Sequence, residues 1–141
     1  MRYALYILAI LWLQCAPAAA TSPETDSLLA ALGRAQTDTA RLRLHVEVAQ
    51  SIGSSDTARA LYHYAQAFAL GGEADHARIL RQKGNFYYRL RDYSQARRFY
   101  LKSLRKYHQQ NNAQGMAKCY NNIGITYKNQ GDYPTAEAYY D

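Results

Sequence analysis

Residues 77–100 read ARILRQKGNFYYRLRDYSQARRFY, and residues 117–140 read AKCYNNIGITYKNQGDYPTAEAYY. At a constant offset of 40, Ala77 meets Ala117, Gly84 meets Gly124 and Tyr87 meets Tyr127. Asp92 and Tyr93 meet Asp132 and Tyr133, Ala96 meets Ala136, and Tyr100 meets Tyr140. A chain with 14 tyrosines offers easy chance matches of that residue, but not of glycine, Asp-Tyr and two alanines in one register. A fixed period in the range of about 20–50 residues marks a stacked array, because each unit can bury its apolar face only against a neighbour. That restricts the fold more than any other feature of the sequence.

The unit has a physical logic. Leu80, Gly84 and Tyr87 fall at i, i+4 and i+7, on one face of a helix. Glycine costs a helix about 1 kcal/mol relative to alanine, a cost that makes sense where a neighbouring helix must come close. Asp92 and Asp132 stand where a second helix should begin, and a carboxylate there accepts from the free N–H groups of the first turn. Gln95, three residues on, predicts a capping box. Pro134 lies in the first turn, where its missing donor does no harm. Ala96 with Tyr100, and Ala136 with Tyr140, put a small and a large residue on one face, permitting a close crossing and filling the space beside it.

Gly, Tyr, Asp-Tyr, Ala and Tyr at these spacings resemble the tetratricopeptide repeat, a helix–turn–helix unit of about 34 residues. The offset of 40 resembles the long-hairpin variety of kinesin light chains and of many bacterial regulators, with the extra residues in KYHQQNNAQGM. A more degenerate copy occupies residues 44–70, where Ala49 takes the place of the first glycine and Ala60, Tyr64 and Ala67 repeat the small–large–small face. A leading helix is expected over about 24–34, with Gly33 helping to end it. The resemblance therefore implies an all-α antiparallel helix-hairpin solenoid of about three repeats (37–71, 73–110 and 112–141), the last incomplete. With no polar helix after Tyr140 to cap the array, the chain reads as the opening section of something longer.

The first twenty residues, MRYALYILAILWLQCAPAAA, read as an export signal. Arg2 supplies charge, Ala4 to Leu13 an apolar run too short for a comfortable membrane span, and Ala18-Ala19-Ala20 a small-residue site for cleavage before Thr21. An uncleaved anchor ranks second. Lipidation of Cys15 ranks third, since Gln14 is larger than the residue such processing requires. The expected location is the periplasm or cell envelope, with membrane contact only through a retained anchor or a further segment.

Catalytic chemistry is not evident, and no enzyme, cofactor or metal is expected. His45, His63, His76 and His108 lack the short spacing of a zinc site. Cys119 has no histidine near it in sequence and reads as a small packed residue. The glycines at 71–72, 84, 124 and 131 punctuate helices and form no phosphate loop. Charge is more informative: residues 77–108 hold ten Lys and Arg against one acid, Asp92, while the rest of the mature chain is net negative. Basic residues among tyrosines would suggest nucleic acid in a cytosolic protein, but the export signal argues against that partner. The Arg97-Arg98 and Arg105-Lys106 pairs read as a solvated face.

On the first helix, Arg78, Arg81, Asn85 and Tyr88 follow i, i+3, i+7 and i+10, a stripe set apart from the packing stripe. Lys118, Asn121, Ile125 and Lys128 repeat it one unit on. The resemblance implies that the first helices line a concave surface holding peptides, so Arg78, Arg81, Asn85, Tyr88, Lys118, Asn121 and Asn122 are the candidate binding residues. Arg81, Asn85 and Asn122 look like part of the carboxylate clamp some members use for peptide C-termini, since a guanidinium and amides suit a carboxylate. Its other positions would need a further repeat. A general groove for an acidic peptide is therefore preferred to a true clamp, beside the plain alternative of a solvated surface. The expected function is an exported protein–protein interaction module. The runner-up is the amino-terminal sensory region of a membrane-bound bacterial regulator.

Overall fold

The computed structural model describes residues 22–140, so the signal reading and Asp141 lie outside the described residues. Among these residues the secondary structure is helical throughout. α1 (Pro23–Arg34) leads into three hairpins: α2 (Asp38–Ile52) with α3 (Thr57–Leu70), α4 (Glu73–Arg89) with α5 (Tyr93–Gln109), and α6 (Ala113–Asn129) with α7 (Tyr133–Tyr140). None of the described helices is long and apolar enough to cross a membrane.

The turns between α4 and α5, α5 and α6, and α6 and α7 are built alike. In each, the N–H of the first residue after the C-cap returns to the carbonyl two before the cap, and the next N–H reaches one residue further back. Thus Arg91 donates to Tyr88 and Asp92 to Tyr87, Asn111 to His108 and Asn112 to Tyr107, Gly131 to Lys128 and Asp132 to Tyr127. This satisfies carbonyls that the ending helix leaves free. It also forces a left-handed residue at Arg91 (φ 59°), Asn111 (φ 52°) and Gly131 (φ 82°).

The residue that closes one helix then caps the next. Asp92 accepts from the Gln95 N–H at 3.0 Å, Asn112 from Gly115 at 2.8 Å and Asp132 from Thr135 at 3.2 Å. The expected capping box is absent, because the Asp92 N–H is already given to Tyr87 and Ser94, not Gln95, donates its hydroxyl to the Asp92 carboxylate. These bonds hold that carboxyl below its ordinary range. Asp92→Ala should lower the unfolding free energy by about 1 kcal/mol in urea titrations near neutral pH. In the degenerate copy Asp56 does the same work, accepting from the Arg59 N–H at 3.0 Å. α1 ends at Ala35, with Gly33 inside its last turn, so the glycine does not form the stop.

Packing corrects the single stripe expected on α4. Its most buried positions are Ala77, Ile79, Gly84 and Phe86, while Leu80 and Tyr87 are only half-buried. A helix inside an array is covered on two sides, and α4 shows both. Ile79 and Phe86 join the core of Leu42, Val46, Ala49, Tyr64 and Ala67 from the hairpin before. Ala77 and Gly84 face α5 and α6: Ala77 clusters with Tyr107 and Cys119, and the Tyr100 ring lies on Gly84, where an added Cβ would come within 2.5 Å of it. The α6–α7 hairpin repeats this device with Gly124 under Tyr140. Gly115 under Tyr107 is a third such contact, between α6 and α5, which the offset of 40 does not reveal. Buried Ser103 ties three helices together, donating to the Ala77 carbonyl at 2.6 Å and accepting from the Cys119 thiol at 3.4 Å.

Two bases expected on a solvated face are engaged instead. Arg97 donates to Gln130 and lies 4.5 Å from the centre of the Tyr127 ring. Lys106 reaches back 2.7 Å to Glu73 at the start of α4.

Candidate functional site

The first helices of the second and third hairpins, α4 and α6, face each other across a cleft of about 220 Å³. Asn85, Tyr88 and Arg89 from α4, Asn122 and Ile125 from α6, and Tyr100 from α5 line it. Asn85 is its hub. Its Oδ1 accepts from the Tyr100 hydroxyl at 2.9 Å and from Asn122 Nδ2 at 3.1 Å, and its Nδ2 donates to Gln82 at 3.0 Å. An amide has two donors and two acceptor lone pairs, so each asparagine keeps one N–H for something else. Asn122 also keeps its carbonyl oxygen.

Burial, helped by Tyr88 and Cys119 and only partly opposed by the charges of Arg81 and Arg89, leaves the Tyr100 phenol far from ionisation, so it serves the network as a neutral donor. Tyr88 accepts from Asn129 Nδ2 at 2.7 Å and sits at a tilt to Tyr93, their ring centres 5.8 Å apart. With Arg89, Arg91, Tyr93 and Asn129 it also walls a neighbouring polar cleft of about 390 Å³.

The structure therefore brings Asn85, Tyr88 and Asn122 together. Arg81, half-buried one helical turn before Asn85, acts on Tyr100 and Cys119 through its charge, and its Nε is buried without a hydrogen-bond partner among the described residues. Arg78 is held by Asp75 at 3.2 Å. Asn121 lines a different and larger opening, about 860 Å³ between α6 and α7, with Tyr120, Tyr139 and Tyr140. Lys118 is exposed and lines none of these clefts. Arg89 and Tyr100 were missed as site residues, though Arg89 follows Tyr88 directly and Tyr100 already stood out as the large residue of the contact face.

Among the described residues no three His, Cys, Asp or Glu side chains gather to hold a metal ion. Cys119 is fully buried, and burial pushes its thiol pKa up, away from the thiolate a nucleophile needs. No curated protein and no solved structure gives a significant match to the chain. Residues 75–141 match the family model of the tetratricopeptide repeat. That match takes in nearly all of the second and third hairpins, so this part of the all-α array is built of tetratricopeptide repeats, which generally serve as non-catalytic modules that bind proteins or peptides.

Proposed function

We infer that the protein is an exported interaction module that holds an acidic peptide in the groove between α4 and α6. The observation that carries this reading is the pairing of Asn85 with Asn122 across the groove, one helical turn along α4 from Arg81, whose buried Nε has no hydrogen-bond partner among the described residues. Two amides with spare donors and an arginine make a neutral-to-cationic donor set, and a carboxylate is the acceptor that best answers it. Asn85 also braces the two helices, so the groove is held open before any ligand arrives. That lowers the ordering cost of binding. Lys118 and Asn121 stand further along α6 and would meet a longer peptide. Arg78, already paired with Asp75, contributes field more than contact.

The offset of 40 between the second and third hairpins supports the long-hairpin variety of the repeat. Arg2, the apolar run and Ala18-Ala19-Ala20 support export, and mass spectrometry of the secreted chain should find Thr21 at its amino terminus. For the groove, fluorescence anisotropy with a labelled acidic peptide bearing a free carboxy terminus provides the test. Arg81→Ala should weaken binding about tenfold, the loss expected for one charge-assisted hydrogen bond. Circular dichroism should show unchanged helicity. Equal affinity in the variant would remove Arg81 from the site.

A further inference from the structure

A further cleft, of about 290 Å³, opens on another side of the array and uses none of the groove residues. Ala65 and Phe68 come from α3, Ile79, Leu80 and Lys83 from α4, and Phe99 from α5. Lys83 lies nearly half a helical turn around α4 from Arg81 and Asn85, so the two sites face different ways. The walls are apolar apart from Lys83, whose ammonium lies 4.7 Å from the centre of the Phe99 ring. Lys102 approaches the same ring at 5.5 Å, and Tyr87 stacks parallel to it with ring centres 5.3 Å apart.

The two ammonium groups have each other and an aromatic ring for company, but no carboxylate. Neither forms an ion pair among the described residues. α3 and α5 contain no Asp or Glu, and both acids of α4 are engaged in its first turn, Glu73 with Lys106 and Asp75 with Arg78. Partial burial and the charge of Lys102 hold the Lys83 pKa below its ordinary value. Two cations gathered at the mouth of an apolar cleft raise each other's cost, and an incoming anion would relieve it.

We propose that this cleft is a docking site for a protein segment in which a Leu- or Phe-sized side chain enters between Phe68 and Phe99 and an adjacent carboxylate settles against Lys83 and Lys102. Size and surroundings favour a segment over a free metabolite. The cleft falls at the bottom of the range of about 300–1,000 Å³ that encloses a drug-sized molecule, which fits one apolar side chain. The apolar surface also continues outside it along α3, through Ala65 to Tyr62, which is 58% exposed. A peptide backbone can follow that stripe, whereas a small molecule would leave it bare.

The probe is a peptide with the core Glu-Phe-Glu, acetylated and amidated so that it offers no free carboxy terminus to the groove. It is titrated into the full chain, isotopically labelled, while backbone amide shifts are followed. The expected result is movement of the amides around Phe68, Ile79, Lys83 and Phe99, and binding that weakens as salt rises. Lys83→Met with Lys102→Met, which keeps the packed stems, should cost at least about tenfold in affinity at unchanged helicity. Replacing the probe's phenylalanine by serine should abolish binding. Arg81→Ala should leave it intact, which separates this site from the α4–α6 groove. Shifts that map to Asn85 and Asn122, undiminished affinity in the double variant, or no shifts at any accessible peptide concentration would each overturn the proposal.

Discussion

Gly84→Ala will lower the unfolding free energy by about 1–3 kcal/mol, the usual cost of forcing an extra group into a filled core. The new Cβ would stand 2.5 Å from Cδ1 and Cε1 of Tyr100, a side chain only 2% exposed whose hydroxyl is held by Asn85. The ring cannot swing away without releasing that bond, so strain would pass into the α4–α5 crossing and the Asn85 network together. Two other glycines provide internal comparisons. Gly124→Ala makes the same 2.5 Å approach to Tyr140, but that side chain is 47% exposed and can move, so the loss should be smaller. Gly33→Ala meets nothing within 4 Å inside α1, and it should gain up to about 1 kcal/mol from helix propensity alone. Urea midpoints at constant slope should order the variants Gly33→Ala, wild type, Gly124→Ala, Gly84→Ala from most to least stable. Wild-type stability in Gly84→Ala would contradict the packing account.

Those glycines also show how far the sequence could be read. Gly84 with Tyr100 and Gly124 with Tyr140 were legible because both partners recur at one offset, and the helix starts at Asp92 and Asp132 because an N-cap is a local device. The contact of Gly115 with Tyr107 crosses between hairpins and has no counterpart at that offset, so periodicity could not show it. Ile79 and Phe86 were passed over for a related reason: a single 3.6-residue stripe describes a helix with one buried face, whereas α4 has two. In the groove, Asn85, Tyr88 and Asn122 could be placed from their positions on first helices. Whether Asn121 or Asn122 turns towards Asn85 depends on the rotation of α6 about its own axis, which is set by tertiary packing. The Lys83 cleft lay hidden because three helices from two hairpins build it, and in sequence Lys83 was one base among ten.

Lowering the pH from about 7 to about 4.5 should destabilise the first hairpin through His63, by as much as about 3 kcal/mol. His63 on α3 is 5% exposed, and its Nδ1 lies 2.8 Å from Nδ1 of His45 on α2. One nitrogen must donate and the other accept, so the contact requires that at least one ring be neutral. Burial first, then the charges of His45 and Arg59, push the His63 pKa down to about 4, and burial also lowers that of His45. In the unfolded chain histidine protonates near the ordinary value of about 6.5. Between these values the unfolded state binds more protons than the folded one, so stability is complete above about 6.5 and drains as the pH falls towards 4. Carboxylates such as Asp92, whose pKa is held low, contribute their losses mainly below that window. Urea unfolding across the window should therefore follow the histidines. His63→Gln can still bond to His45 yet does not titrate, and it should flatten the dependence. An unchanged slope in that variant would show that the paired rings are not its source.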